Sequence, residues 1–283
     1  MEASPCKMES PSGLDYDSYN TEMFNRQINF QFPYCKAINT KAGLFVPKEC
    51  KIQADWVCET NVGVDFSLQT EQTDLNGELI TVEGELIKEP RLRIIERSPL
   101  LRFNKKTKRY DALWDKARDQ ELKLKGEAQS AIRYLLFFVG KDNRILHNLP
   151  IQLSLKGNCM FRFDTKLKEF IGHIYTTRTG KQLNVFLGNG DPTISWIMYH
   201  SVFCPKFVTE KVGDAQQSFA CLAVSFLTCQ KSDASDLYVD KEEGSATLDV
   251  YEKYRDWYIK QYRKNHDFSS FDDTKISTEA VDV

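Results

Sequence analysis

Ile151, Leu153 and Leu155 alternate with Gln152, Ser154 and Lys156. A period of two puts the aliphatic side chains on one face of an extended strand and the polar ones on the other. The same patterning occurs at Val64, Phe66 and Leu68, and at Leu79, Thr81 and Glu83 beyond a turn expected at Asp74 to Gly77. Leu92-Arg93-Ile94-Ile95-Glu96-Arg97 reads the same way, and Ser98-Pro99 breaks it. Ser130 to Val139 is rich in β-prone residues, Gly140-Lys141-Asp142-Asn143 supplies turn chemistry, and the Ile151 segment follows, which predicts a hairpin. A chain patterned this way folds around a sheet.

Helical spacing is the exception. Phe163, Leu167, Phe170, Ile171 and Ile174 form one apolar stripe, with Asp164 or Thr165 as N-cap. Val250, Tyr254, Trp257 and Tyr258 predict a second helix ending near Arg263, and Lys48 to Trp56 a short one. Trp196 to Val208 and Phe219 to Cys229 read as further strands. Strands do not alternate regularly with helices, which excludes a doubly wound fold. The expected class is α+β and β-rich: an antiparallel barrel or sandwich, oligonucleotide-binding-like, with two or more accessory helices. Residues 1–28 read as a flexible N-terminal arm, 29–264 as a single β-rich globular domain and 265–283 as a flexible acidic tail.

Chemistry is mostly excluded. The apolar runs, Tyr134 to Val139 among the longest, fall far short of the roughly 20 residues that cross a bilayer. Met1 to Ser10 lacks the layout of a signal peptide. A cytoplasmic location with no membrane partner is expected. Cys6, Cys35, Cys50, Cys58, Cys159, Cys204, Cys221 and Cys229 form no CxxC pair, so they read as reduced thiols, and neither metal nor cofactor is expected. His147, His173, His200 and His266 are dispersed, and the carboxylate pairs Asp272–Asp273 and Glu242–Glu243 lie in solvated segments. Leu187 to Pro192 is glycine-rich but lacks the Lys and Ser/Thr of a phosphate cradle. The reading is non-enzymatic.

Charge is uneven. From Arg91 to Lys125 twelve Lys and Arg face five acids, whereas His266 to Val283 holds five acids and Lys275 alone. Single strands are held by cations along their phosphates and aromatic faces under their bases. The candidate nucleic-acid-binding residues are therefore Arg91, Arg93, Arg97, Arg102, Lys105, Lys106, Lys108, Arg109, Tyr110 and Trp114. The plain alternative is a solvated hairpin whose aromatics belong to the core. An acidic tail either competes for the basic groove, recruits protein partners, or only keeps the chain soluble.

Several segments resemble an uncharacterised family common in cyanobacterial genomes, plasmids and their phages: Phe32-Pro33-Tyr34-Cys35, Gly43-Leu44-Phe45, Pro90-Arg91-Leu92, Ser98-Pro99-Leu100, Tyr134 to Val139, Leu146-His147 to Gly157 and Phe203-Cys204-Pro205. The resemblance spans about Phe32 to Tyr262, brings no catalytic residues, and implies a phage or mobile-element setting. The expected function is single-stranded nucleic-acid binding, DNA before RNA, in replication or recombination. The alternative is a structural or assembly protein, with homo-oligomers built through exposed strand edges.

Overall fold

The computed structural model describes residues 32–56, 64–73, 79–187, 191–212 and 218–228, with Leu237, Gly244, Thr247, Asp249 and Val250. The expected arm at 1–28, the turn at 74–77, the helical positions Tyr254, Trp257 and Tyr258 and the tail at 265–283 lie outside these residues.

In chain order the elements are β1 (Tyr34–Ala37), β2 (Leu44–Pro47), α1 (Lys48–Gln53), β3 (Val64–Thr73), β4 (Leu79–Ile87), β5 (Leu92–Arg97), β6 (Leu101–Asn104) and β7 (Arg109–Leu113). Then come α2 (Lys116–Leu124), β8 (Ala128–Phe138), β9 (Ile151–Lys156), α3 (Gly157–Thr179), α4 (Pro192–His200), β10 (Pro205–Val212) and β11 (Ser218–Phe226). The class is α+β and strand-rich. The main sheet runs β3-β4-β2-β1-β9-β8-β6-β7 and, among the described residues, does not close into the expected barrel. Nor is it purely antiparallel, because β1 pairs parallel with β9.

The long strand β8 organises the sheet. Its Tyr134–Phe138 half pairs with β5 and its Ala128–Ala131 half with β6, so two short strands share one edge. Ser98 bridges the gap: its N–H donates to the Arg133 carbonyl at 2.8 Å and its Oγ accepts the Arg133 N–H at 2.9 Å. That hydroxyl continues the ladder just before Pro99, which has no N–H to offer.

One face of β8 and β9 buries Ile132, Tyr134, Leu136 and Phe138 beside Ile151, Leu153 and Leu155, as the alternation requires. Onto it α3 lays the predicted stripe, whose five residues are all buried. Phe163 packs against Phe203 at 5.4 Å between ring centroids, and Phe170 against Phe226 at 5.7 Å, so the separate β10–β11 hairpin closes over the helix. Each buried Phe contributes roughly 1.5–3 kcal/mol. Gly180, at φ 70°, ends α3 in the left-handed region, where glycine is favoured.

Two local expectations change. The helix α3 begins at Gly157, so Asp164 is an internal residue rather than its N-cap. The first part of the strand expected at 196–208 is helix α4, because Asp191 accepts hydrogen bonds from the Thr193 and Ile194 N–H groups and Pro192 fits the first turn. The basic segment after Ser98-Pro99 forms the β6–β7 hairpin, and α2 follows it.

His147 is held by two backbone hydrogen bonds. Its Nε2 accepts the Phe138 N–H at 2.9 Å, and its Nδ1 donates to the Leu149 carbonyl at 2.7 Å. Burial lowers its pKa to about 3.

Candidate nucleic-acid interface

The ten candidate residues divide into an interior set and an exterior set. Arg91, at the start of the segment, donates through Nε to the Gly140 carbonyl at 3.0 Å and through Nη2 to Asn143 Oδ1. Arg93 is fully buried and donates to Thr247 Oγ1 at 2.6 Å and to the Asn143 carbonyl at 3.1 Å. Both arginines hold the turn that follows β8, which takes Arg93 away from any external ligand.

Arg97 forms a bidentate pair with Asp164 at 2.8 and 3.2 Å, and the Tyr134 hydroxyl donates to the same carboxylate at 2.8 Å. Burial alone would raise the Asp164 pKa, but the charge and hydrogen bonds of Arg97 outweigh it and hold the carboxyl below its ordinary value. Arg102 donates to Asp111 at 2.7 Å and to Asp119 at 3.0 Å, and Asp119 is itself fully buried. Of the candidate nucleic-acid-binding residues, Arg97 and Arg102 are thus paired with carboxylates of the fold, and Arg93 is held by a hydroxyl and a backbone carbonyl.

The hairpin turn differs. Lys105, Lys106, Lys108 and Arg109 are all exposed. Asn104 shapes the turn, its Oδ1 accepting the N–H groups of Lys106 at 2.9 Å and Thr107 at 3.2 Å. Lys106 pairs with Glu127 at 2.8 Å. Lys105, Lys108 and Arg109 have no carboxylate partner among the described residues. Lys108 sits at φ 56°, a left-handed conformation that favours glycine over a residue with a Cβ.

Behind the turn lies a cluster that the sequence did not reveal. In register, Phe103 stands opposite Tyr110 on β7 and Gln129 on β8, while Lys156 on β9 stands opposite Ala131. The Phe103 and Tyr110 ring centroids are 5.2 Å apart. Lys156 Nζ lies 3.3 Å from the Phe103 centroid and 5.7 Å from that of Tyr110, while Arg133 Cζ lies 4.0 Å from the Tyr110 centroid. These are cation–π distances. Burial first, then repulsion from Lys108 and Arg133, lowers the Lys156 pKa from 10.5 to about 8. Trp114 follows β7 half-buried, its backbone N–H donating to the Leu100 carbonyl at 2.9 Å.

Cations and aromatics thus meet on one face of the β6–β7–β8–β9 end of the sheet. Among the described residues no group of three or more His, Cys, Asp and Glu side chains is placed to hold a metal ion, and no helix is long and apolar enough to cross a membrane.

Comparison with known proteins gives a family without an assigned activity. Uncharacterized protein 254L of Invertebrate iridescent virus 6 is 26% identical over 231 residues, which cover 77% of this chain and 67% of that protein. No solved structure matches the chain. The family described as Domain of unknown function (DUF5895) matches residues 30–267, which include every strand and helix described above, and the chain belongs to that family.

Proposed function

We propose that the chain is a non-enzymatic nucleic-acid-binding protein that holds single strands, DNA in preference to RNA, along the β6–β7 hairpin and the cationic face behind it. The observation that carries this reading is the separation of charges within one segment. Its interior arginines are matched by carboxylates or hydrogen bonds, whereas Lys105, Lys108 and Arg109 project from a turn with no acidic partner among the described residues. A left-handed Lys108 strengthens the case, since a lysine kept where glycine is favoured is a local conformational expense that calls for a functional reason.

The arrangement also shifts the expected mode of contact. A Tyr110 face is already occupied by Arg133, so the rings present cations more than they offer platforms for bases. Phosphates, not base identity, are the contacts such a surface favours. Binding in the manner of an oligonucleotide-binding surface would serve the replication or recombination of a phage or mobile element. The acidic residues of His266 to Val283 then compete with the strand or recruit protein partners.

A second reading, assembly through protein contacts, draws on the β10–β11 hairpin. It is paired only with itself among the described residues and exposes Phe219. It predicts defined oligomers without nucleic acid.

Fluorescence anisotropy with labelled single-stranded DNA, single-stranded RNA and duplex DNA across a salt series separates the two. Under the first reading, single strands bind and the affinity falls with salt. A variant with Lys105, Lys108 and Arg109 changed to Ser loses about 2 from the salt slope, roughly 0.7 for each phosphate contact. Absence of binding at low salt overturns the nucleic-acid reading, and oligomers seen by light scattering then favour assembly.

A further inference from the structure

We propose that Lys156 and Lys108 form an anion subsite behind the hairpin that takes one phosphodiester group of a bound strand, an inference that rests on the nucleic-acid reading above. An ammonium withdrawn from water ordinarily acquires a carboxylate, because desolvation of an unmatched charge is unfavourable. Lys156 is half-buried and has no such partner among the described residues. Glu127 is engaged by Lys106, and the first turn of α3, which begins immediately after Lys156, contains no acidic residue.

Groups from β6, the hairpin turn, β7 and β8 surround Lys156. On β6 it meets the Phe103 ring and on β7 the Tyr110 phenol. Lys108 in the hairpin turn and Arg133 on β8 both repel it. From β8, too, comes the neutral amide of Gln129, which lies against Gly157. The aromatic rings stabilise a cation without neutralising it, so the positive field stays directed outward. A phosphodiester seated between Lys156 and Lys108 supplies the missing negative charge. It relieves the repulsion between the two lysines and replaces the lost hydration of the inner one with charge-assisted hydrogen bonds.

This geometry links binding to protonation. In the unbound protein Lys156 loses its proton as pH rises through about 8. A bound phosphate favours the ammonium and raises that pKa, so above pH 8 binding takes up a proton and affinity falls as pH rises. With the bound pKa well above 9, linkage gives a drop of about tenfold between pH 7 and pH 9. Arginine at the same position stays charged throughout.

The test measures the affinity of the full chain for labelled single-stranded DNA from pH 7 to pH 9 at constant low salt, with K156R and K156M alongside. The expected result is a decline of about tenfold for the parent chain, a flat profile for K156R, and weaker, flat binding for K156M. Strand binding by the parent chain that is as flat as that of K156R overturns the subsite and leaves the nucleic-acid reading standing. Where none of the proteins binds the strand, the nucleic-acid reading fails and the phosphate chemistry is settled separately, by following the lysine Cε resonances through a pH titration with pyrophosphate. An upward shift in the Lys156 titration upholds the anion subsite, and an unmoved one overturns it.

Discussion

The segment from Arg91 to Arg109 contains two kinds of positive charge that look alike in the sequence and behave differently in the fold. Its first part follows β5 and β6 along the edge of β8, where side chains are drawn into the protein and must be matched. Arg93 reaches Thr247 and the Asn143 carbonyl, Arg97 reaches Asp164, and Arg102 reaches Asp111 and Asp119. Its second part turns out into solvent, where Lys105, Lys108 and Arg109 have no carboxylate partner among the described residues. All the residues at issue in the first part are arginine, whose planar fork suits bidentate pairing, whereas lysine dominates the turn. A run of basic residues is therefore not a unit of function: the strand carries structure and the turn carries the surface field.

The comparison is broken most directly at Arg97. Arg97→Met leaves Asp164 nearly buried with only the Tyr134 hydroxyl and the more distant Lys168, at 3.5 Å, to hold it. Removing one partner of such a pair is expected to destabilise the protein by about 3–5 kcal/mol, read from urea unfolding. The folded variant should bind single strands as the parent chain does. A loss of strand affinity with unchanged stability would instead place Arg97 on the binding surface and erase the division.

A test of the interior alone comes from pH. His147 titrates near its ordinary 6.5 when the chain is unfolded but is held at about 3 in the fold by burial. Its contribution is complete above pH 6.5 and is lost as pH falls from there towards 3, because the unfolded state takes up the proton first. The expected slope is about 1.4 kcal/mol per pH unit, at most, from this one group. In a His147→Gln variant, measured by unfolding between pH 7 and pH 4, that component should be absent. An identical slope in both proteins would mean that the acid sensitivity arises elsewhere.

Much of this architecture was legible and the reason is periodicity. The alternation in β9 and the stripe of α3 each name a buried face, and both faces lie where the patterns put them. The β6–β7 turn was not legible because the residue at its left-handed position is Lys108 rather than the Gly or Asn that ordinarily signals a tight turn. Helix α4 hides behind the strand-prone Trp196, Ile197 and Tyr199, although Asp191-Pro192 carries its start signal. Asp164 looked like a cap because a carboxylate at the edge of an apolar stripe usually is one, and nothing local reveals that Arg97, from a distant strand, pairs with it. Lys156 was visible only as a polar-face residue of β9. Its neighbours Phe103, Tyr110, Lys108 and Arg133 come from strands and a turn whose register no single-strand pattern encodes.

The smallest effects make the finest cut, within the turn itself. Lys106 and Lys108 are both exposed lysines two residues apart, but Lys106 has Glu127 within 2.8 Å and Lys108 has the left-handed backbone. Lys106→Gln removes a charge that Glu127 already offsets in part, so the salt slope of strand binding should fall by less than the roughly 0.7 expected for a full phosphate contact. Lys108→Gly should lower that slope by about 0.7. It should also raise stability by about 0.5 kcal/mol, because glycine adopts the left-handed region without the Cβ penalty, offset in part by its greater freedom when unfolded. Opposite signs in the two measurements, a firmer fold and a weaker grip on the strand, are what a residue retained for its charge would show. Were Lys108→Gly to stabilise the fold and leave the slope unchanged while Lys106→Gln lowered it, the surface field would belong to the other side of the turn, where Lys106 and Lys105 stand.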